Sequence, residues 1–237
     1  MAKALTKLGR ILNRLEKHSG RPEPLQTTDP LEIILFDTVV YLAPDQKRAA
    51  AFAALKERVG LQPKKILAAP QATLAEIGGM GGIVPTISAR KIREVAAIAL
   101  EKFNGRLKDA LELPPKLARK ALKEFPGMGD PGAEKILLFT GTEPVFAMDS
   151  NILRVICRLG FSVETRNYSA SYRAAQQSLT GEIPANCDAL IRAYQLLRRH
   201  GMEICKRSKP LCDTCPLQRD CEYFHNSFRG DISAAQN

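Results

Sequence analysis

The 237-residue chain has no tryptophan, 6% aromatic residues and three histidines. So few large rings argue against a stacking platform for single-stranded nucleic acid, which needs aromatic faces for successive bases. His18, His200 and His225 show no metal-ligating or catalytic spacing and read as surface or core residues. No run approaches the roughly 20 apolar residues of a membrane-crossing helix. No strand pattern or internal repeat is visible, and no signal peptide precedes the first helix. Negative charge is also short. There are 25 Asp and Glu against 35 Lys and Arg, a net charge of +10. Such a balance suits a polyanion or simply a solvated basic surface.

What is present is helical. Hydrophobic residues make up 45% of the chain, enough for one large domain or two small ones. Residues 3–17 alternate basic and apolar at helical spacing. Asp29-Pro30 starts a helix, with Asp as cap and Pro in the first turn. Further helices are expected over 45–59 (ended by Gly60), 63–68, 71–77, 87–103, 114–124, 150–159, 169–179 and 187–203. Gly78 to Pro85 breaks the pattern as a loop. Cys157 and Cys187 lie in apolar helical patterns and read as core thiols.

Four further cysteines, Cys205, Cys212, Cys215 and Cys221, are separated by six, two and five residues. One metal centre can draw all four ligands from so short a run. Zinc takes four thiolates but usually from two short-spaced pairs, and only Cys212 and Cys215 form one. A cubane iron–sulfur cluster also takes four, although common ferredoxin spacings differ from this one. Spacing alone leaves both open. Disulfides would need an oxidising compartment.

Upstream lies Phe125-Pro126-Gly127-Met128-Gly129-Asp130-Pro131-Gly132, a tight turn between two helices. Exposed amides at the start of a helix form a phosphate site. Eighteen residues after Pro131 stands Asp149, in Ala147-Met148-Asp149-Ser150-Asn151. It suits a helix cap and also a fixed carboxylate beside a developing positive charge.

Together, the hairpin, Asp149 and the cysteine spacing resemble the endonuclease III superfamily of DNA glycosylases. The stretch from Gly201 to Cys212 resembles its adenine glycosylase branch in particular. The resemblance spans about residues 28–221. It implies a [4Fe–4S] cluster on Cys205, Cys212, Cys215 and Cys221. It implies Asp149 as the catalytic aspartate and phosphate contacts at Gly127, Met128 and Gly129. It also gives Lys206, Arg207 and Lys209 a role at the DNA backbone.

The chain departs from the family pattern in several places. Bifunctional members carry a Schiff-base lysine where Pro131 stands, so a lyase step is not expected. Lys135 lies one turn on, about 6 Å along the axis, and reads as a surface lysine or a substitute nucleophile. Asp37 sits inside the apolar run from Ile33 to Val40. A charge there must be paired, protonated or used. Its place is similar to that of the adenine glycosylases' catalytic glutamate, which implies a proton donor to the leaving base. Leu42 replaces an expected glutamine, and Met80 or Ile83 is a possible wedge in the duplex.

The expected fold class is all-α, a two-lobed helix-hairpin-helix glycosylase. Residues 28–143 would form a six-helix barrel lobe, and residues 1–27 with 144–237 the cluster lobe. DNA would lie across the cleft, its flipped base among Asp37, Tyr41, Asp149, Pro131 and Lys135. The expected function is monofunctional release of a damaged or mismatched base from double-stranded DNA. The expected context is a monomeric, prokaryotic-type cytoplasmic protein associated with the nucleoid and not with a membrane. A non-catalytic homologue that binds DNA structure is the alternative.

Overall fold

The computed structural model describes residues 5–40, 43–82 and 84–228. The polypeptide divides into two compact units, Leu25–Glu143, and Met1–Pro24 with Pro144–Asn237. Among the described residues every regular element is helical, and none is long and apolar enough to cross a membrane.

The first helix, α1 (Lys7–Ser19), starts where Thr6 accepts a hydrogen bond from the Gly9 amide and buries Leu8, Ile11, Leu12 and Leu15. Its apolar positions recur every three or four residues, so one stripe faces inward. It belongs to the second unit.

In the first unit, Asp29 caps α2 (Pro30–Thr38) through the amides of Leu31 and Glu32, 3.0 and 3.2 Å away. Pro30 follows the cap, where its missing N–H costs no helical bond. Leu31, Ile33, Ile34 and Leu35 are buried, so nearly the whole circumference of α2 is core. Around it lie α3 (Asp45–Arg58), α4 (Pro63–Ala68), α5 (Gln71–Gly79), α6 (Pro85–Phe103), α7 (Pro115–Leu122) and α8 (Asp130–Phe139). The unit expected to hold six helices therefore holds seven among the described residues. Pro63 and Pro70 set off the short α4 expected over 63–68, and α8, which follows the hairpin, brings the total to seven. A 3-10 turn at Leu107–Leu111 was not anticipated; it buries Leu107 and Ala110. One continuous apolar cluster runs from Leu31 to Leu137.

The glycine-rich stretch after α5 has a packing reason. A Cβ on Gly78 would lie 2.6 Å from the Ser88 Cβ, and one on Gly82 would lie 2.7 Å from the Gly78 carbonyl. Glycine at both positions lets α5 and α6 approach at their junction. Met80 is exposed there, and Ile83 lies outside the described residues.

In the second unit, α9 (Ser150–Arg158), α10 (Tyr168–Ser178) and α11 (Cys187–Glu203) complete the fold with α1. A Cβ on Gly201 would fall 2.9 Å from the Asn151 carbonyl oxygen, so this glycine permits the close crossing of α11 and α9. That crossing brings the start of α9 and the end of α11 together.

Candidate active site and metal centre

Gly127 adopts φ +77°, which the missing Cβ permits, and no atom crowds the position. Gly129 caps α8 with extended backbone. Both glycines are exposed. Met128 differs from them. Its amide donates to the Phe125 carbonyl at 3.1 Å, and its side chain packs on the core of the first unit. The turn thus consumes the Met128 amide, so a DNA contact at this residue would not be made through that donor. Pro131 occupies the second position of α8.

Asp149 caps α9. One carboxylate oxygen accepts from the amides of Asn151 and Ile152, both at 2.9 Å. The other accepts from Arg198 Nε at 3.1 Å and Asn151 Nδ2 at 3.2 Å. Two helices thus hold one carboxylate, whose side chain keeps 27% of its surface exposed. The residue before it, Met148, donates its amide to the Tyr172 hydroxyl at 3.4 Å. Tyr168 stands next to Tyr172, with ring centroids 6.2 Å apart. Burial, then the charge of Asp149, raises the pKa of the Tyr168 hydroxyl. The aspartate is therefore a fixed anion in a polar, aromatic-edged surround.

Beyond α11, Cys205, Cys212, Cys215 and Cys221 line one cavity. Its other walls are largely apolar, including Val155, Leu159, Ile204, Leu211 and Phe224. N–H donors reach the sulfurs. Arg158 Nη1 lies 3.4 Å from Cys205 Sγ, and the Leu217 amide lies 3.4 Å from Cys215 Sγ. Burial pushes the Cys215 thiol up to about 11. Burial first, and then the charge of neighbouring cysteines, also raises Cys212 and Cys221. Thiolates are thus costly in this cavity unless a cation offsets them, as a coordinated metal does. Cys157 and Cys187, read as core thiols, lie outside the cavity and are half-buried.

Comparison with known proteins converges on one group. Endonuclease III of Thermotoga maritima is 26% identical over 211 residues, covering 89% of this chain and 91% of its own. The enzyme of the same name from Sulfolobus acidocaldarius is 27% identical over 86% of each chain. These relatives support placing the chain with the endonuclease III superfamily of helix-hairpin-helix DNA glycosylases. The fold agrees. A solved endonuclease III trapped as a covalent intermediate with DNA superposes with a TM-score of 0.71 at 22% identity, over 95% of this chain and 100% of that one. No family model matches the chain.

Asp37 is paired with Lys135. The ammonium of Lys135 contacts Asp37 Oδ2, and the side chains are 15% and 28% exposed respectively. Of the three ways to tolerate a carboxylate in an apolar helix, the structure shows pairing. Tyr41, expected in the base pocket, and Leu42 lie outside the described residues. Lys206, Arg207 and Lys209 are exposed as expected for backbone contacts, although Arg207 also pairs with Glu164 at 3.5 Å.

Three residues near these sites carried no assigned role in the sequence. Arg198 holds Asp149. Arg154, buried in spite of its charge, donates to the carbonyls of Cys205 and Gly201 at 2.8 and 2.7 Å. Arg158 braces the cysteine loop through the Lys206 carbonyl at 2.8 Å and rests 4.5 Å from the centre of the Tyr223 ring. Helical spacing is the signal that could have found the last two: Arg154 and Arg158 share one face of α9.

Proposed function

We propose that this protein is a monofunctional DNA glycosylase of base-excision repair, hydrolysing the N-glycosidic bond of a damaged or mismatched base in double-stranded DNA. The observation that carries the reading is the state of Asp149: one carboxylate, fixed by donors from two helices and still partly open to solvent. Breaking the bond builds positive charge on the sugar. A preorganised anion stabilises that charge and orients water without having to reorganise during the step. The base must leave the stack for any of this to happen, so the substrate is a flipped nucleotide.

Residues 131 and 135 support hydrolysis without strand cleavage. A Schiff base needs a free amine. Pro131 has none, and the Lys135 amine is engaged by Asp37. Asp37 is accordingly assigned to the ion pair and not to proton donation. Gly127 and Gly129 would accept backbone phosphates on exposed amides, and Lys206, Arg207 and Lys209 would add positive charge.

The four thiols fit a [4Fe–4S] cluster. All four border one cavity with apolar walls and N–H donors to sulfur. The cluster would tie the loop from Cys205 to Cys221 to α9 and α11 and present its basic side chains.

The test is base release from duplexes carrying uracil, thymine mismatches, oxidised bases, alkylated bases or adenine mispairs. Strands are scored with and without alkali, and with borohydride as a trap. Cleavage only after alkali, and no trapped adduct, is expected. A borohydride adduct would overturn the monofunctional assignment. Tight duplex binding with no release across the panel would favour the non-catalytic reading, in which the hairpin and cluster only recognise DNA structure.

A further inference from the structure

His200 lies on the last turn of α11 and is 4% exposed. It lines the same cavity as the four cysteines, with Nε2 3.8 Å from Cys215 Sγ. Its other ring nitrogen, Nδ1, is buried and has no hydrogen-bond partner. A ring protonated on both nitrogens would leave a buried N–H unpaired at Nδ1, whereas the neutral imidazole carries a single N–H. Only one of its nitrogens has a partner, and that partner is a sulfur. A ligated thiolate sulfur can only accept. It therefore selects the tautomer with the proton on Nε2, and leaves a lone pair, not a donor, unpartnered at Nδ1. An unpaired acceptor costs less in a protein interior than an unpaired N–H.

We propose that His200 is a positioning residue for the metal centre, donating an Nε2–H hydrogen bond to the Cys215 sulfur and thereby holding the cluster and setting its potential. The inference rests on the cluster reading given above. Cys215 receives two donors, the Leu217 amide and the His200 ring, and both are neutral. Cys205 instead faces the Arg158 guanidinium. The centre is thus braced by a cation on one side and by a buried neutral dipole on the other. Hydrogen bonds to sulfur withdraw electron density from the ligand and so favour the reduced cluster. Loss of such an outer partner typically weakens a metal site by about 10- to 100-fold.

The experiment compares the full chain with His200→Phe and His200→Gln, each loaded with iron and sulfide without air. Phe keeps bulk and loses the donor; Gln keeps an N–H. The readouts are iron and sulfide content, the rate of loss of visible absorbance under a chelator, and the reduction potential. The expected result is about tenfold faster loss for His200→Phe and a lower potential, with His200→Gln close to the parent on both. Equal rates and potentials in all three would overturn the proposal. So would equal losses in both variants, since packing alone would then explain the histidine. A parent that holds stoichiometric zinc and no sulfide would overturn the cluster reading itself, and is told apart from the other outcomes by the metal content.

Discussion

Residues 25–143 are built on an apolar cluster that runs without interruption from Leu31 on α2 to Leu137 on α8. The closing segment of the other unit, from Ile204 to Phe224, instead surrounds four thiols and is pinned by Arg154 and Arg158. The two carboxylates of interest divide the same way. Asp37 meets one ammonium within the apolar unit, whereas Asp149 is gripped by two amides, an amide side chain and a guanidinium next to the thiol loop. An apolar core needs no ligand to stand, and a charge inside it is merely neutralised. A segment lined by donors and thiols is organised for something it binds.

The largest effect that would sharpen this contrast is at Asp149. Asp149→Asn should lower single-turnover base release by about 100-fold or more. Asparagine still caps a helix through its one carbonyl oxygen but loses the acceptor facing Arg198, so stability should fall by no more than about 1–2 kcal/mol. A large loss of stability would show instead that the residue is a cap alone.

Metal removal comes next. Stripping the centre, or Cys215→Ser, should abolish amide-exchange protection around 204–224 and leave 31–137 protected. Burial has pushed three of the four thiols up, so without a cation nothing replaces the bonds that close the loop. Uniform loss across both units would break the comparison.

Asp37→Asn should cost about 1–2 kcal/mol of stability, because it strands the Lys135 ammonium in a mostly buried position. Base release should change by less than about tenfold. The smallest effect is at the loop surface. Lys209→Ala should weaken duplex binding a few-fold and reduce the slope of log affinity against log salt by about 1.

Much of the framework was legible in the sequence because local chemistry decides it. Asp29 followed by Pro30 can hardly do other than start a helix, and Gly60, at φ +90°, ends α3. Gly127 and Gly129 mark the hairpin, and the cysteine spacing marks the four thiols that line one cavity. What could not be read depends on partners distant in the chain. Lys135 reaches Asp37 across 98 residues, and Arg198 reaches Asp149 across 49. Arg198 and Arg199 are neighbours in sequence with opposite fates. One grips the aspartate, while the other pairs with Glu203 and the Ser19 carbonyl. Only the phase of α11 against its neighbours separates them. His200 looked like a lone histidine for the same reason. The use of the Met128 amide was hidden in another way: a turn that exposes its glycines uses the amide between them to close itself.

The central claim is that Asp149, and not Asp37, carries the chemistry. Side-by-side single-turnover base release by the parent, Asp149→Asn and Asp37→Asn, on whichever duplex of the panel is cleaved, tests it most directly. The account predicts near-complete loss in Asp149→Asn with its fold intact, and near-parental release in Asp37→Asn. Loss in Asp37→Asn with Asp149→Asn still active would contradict it.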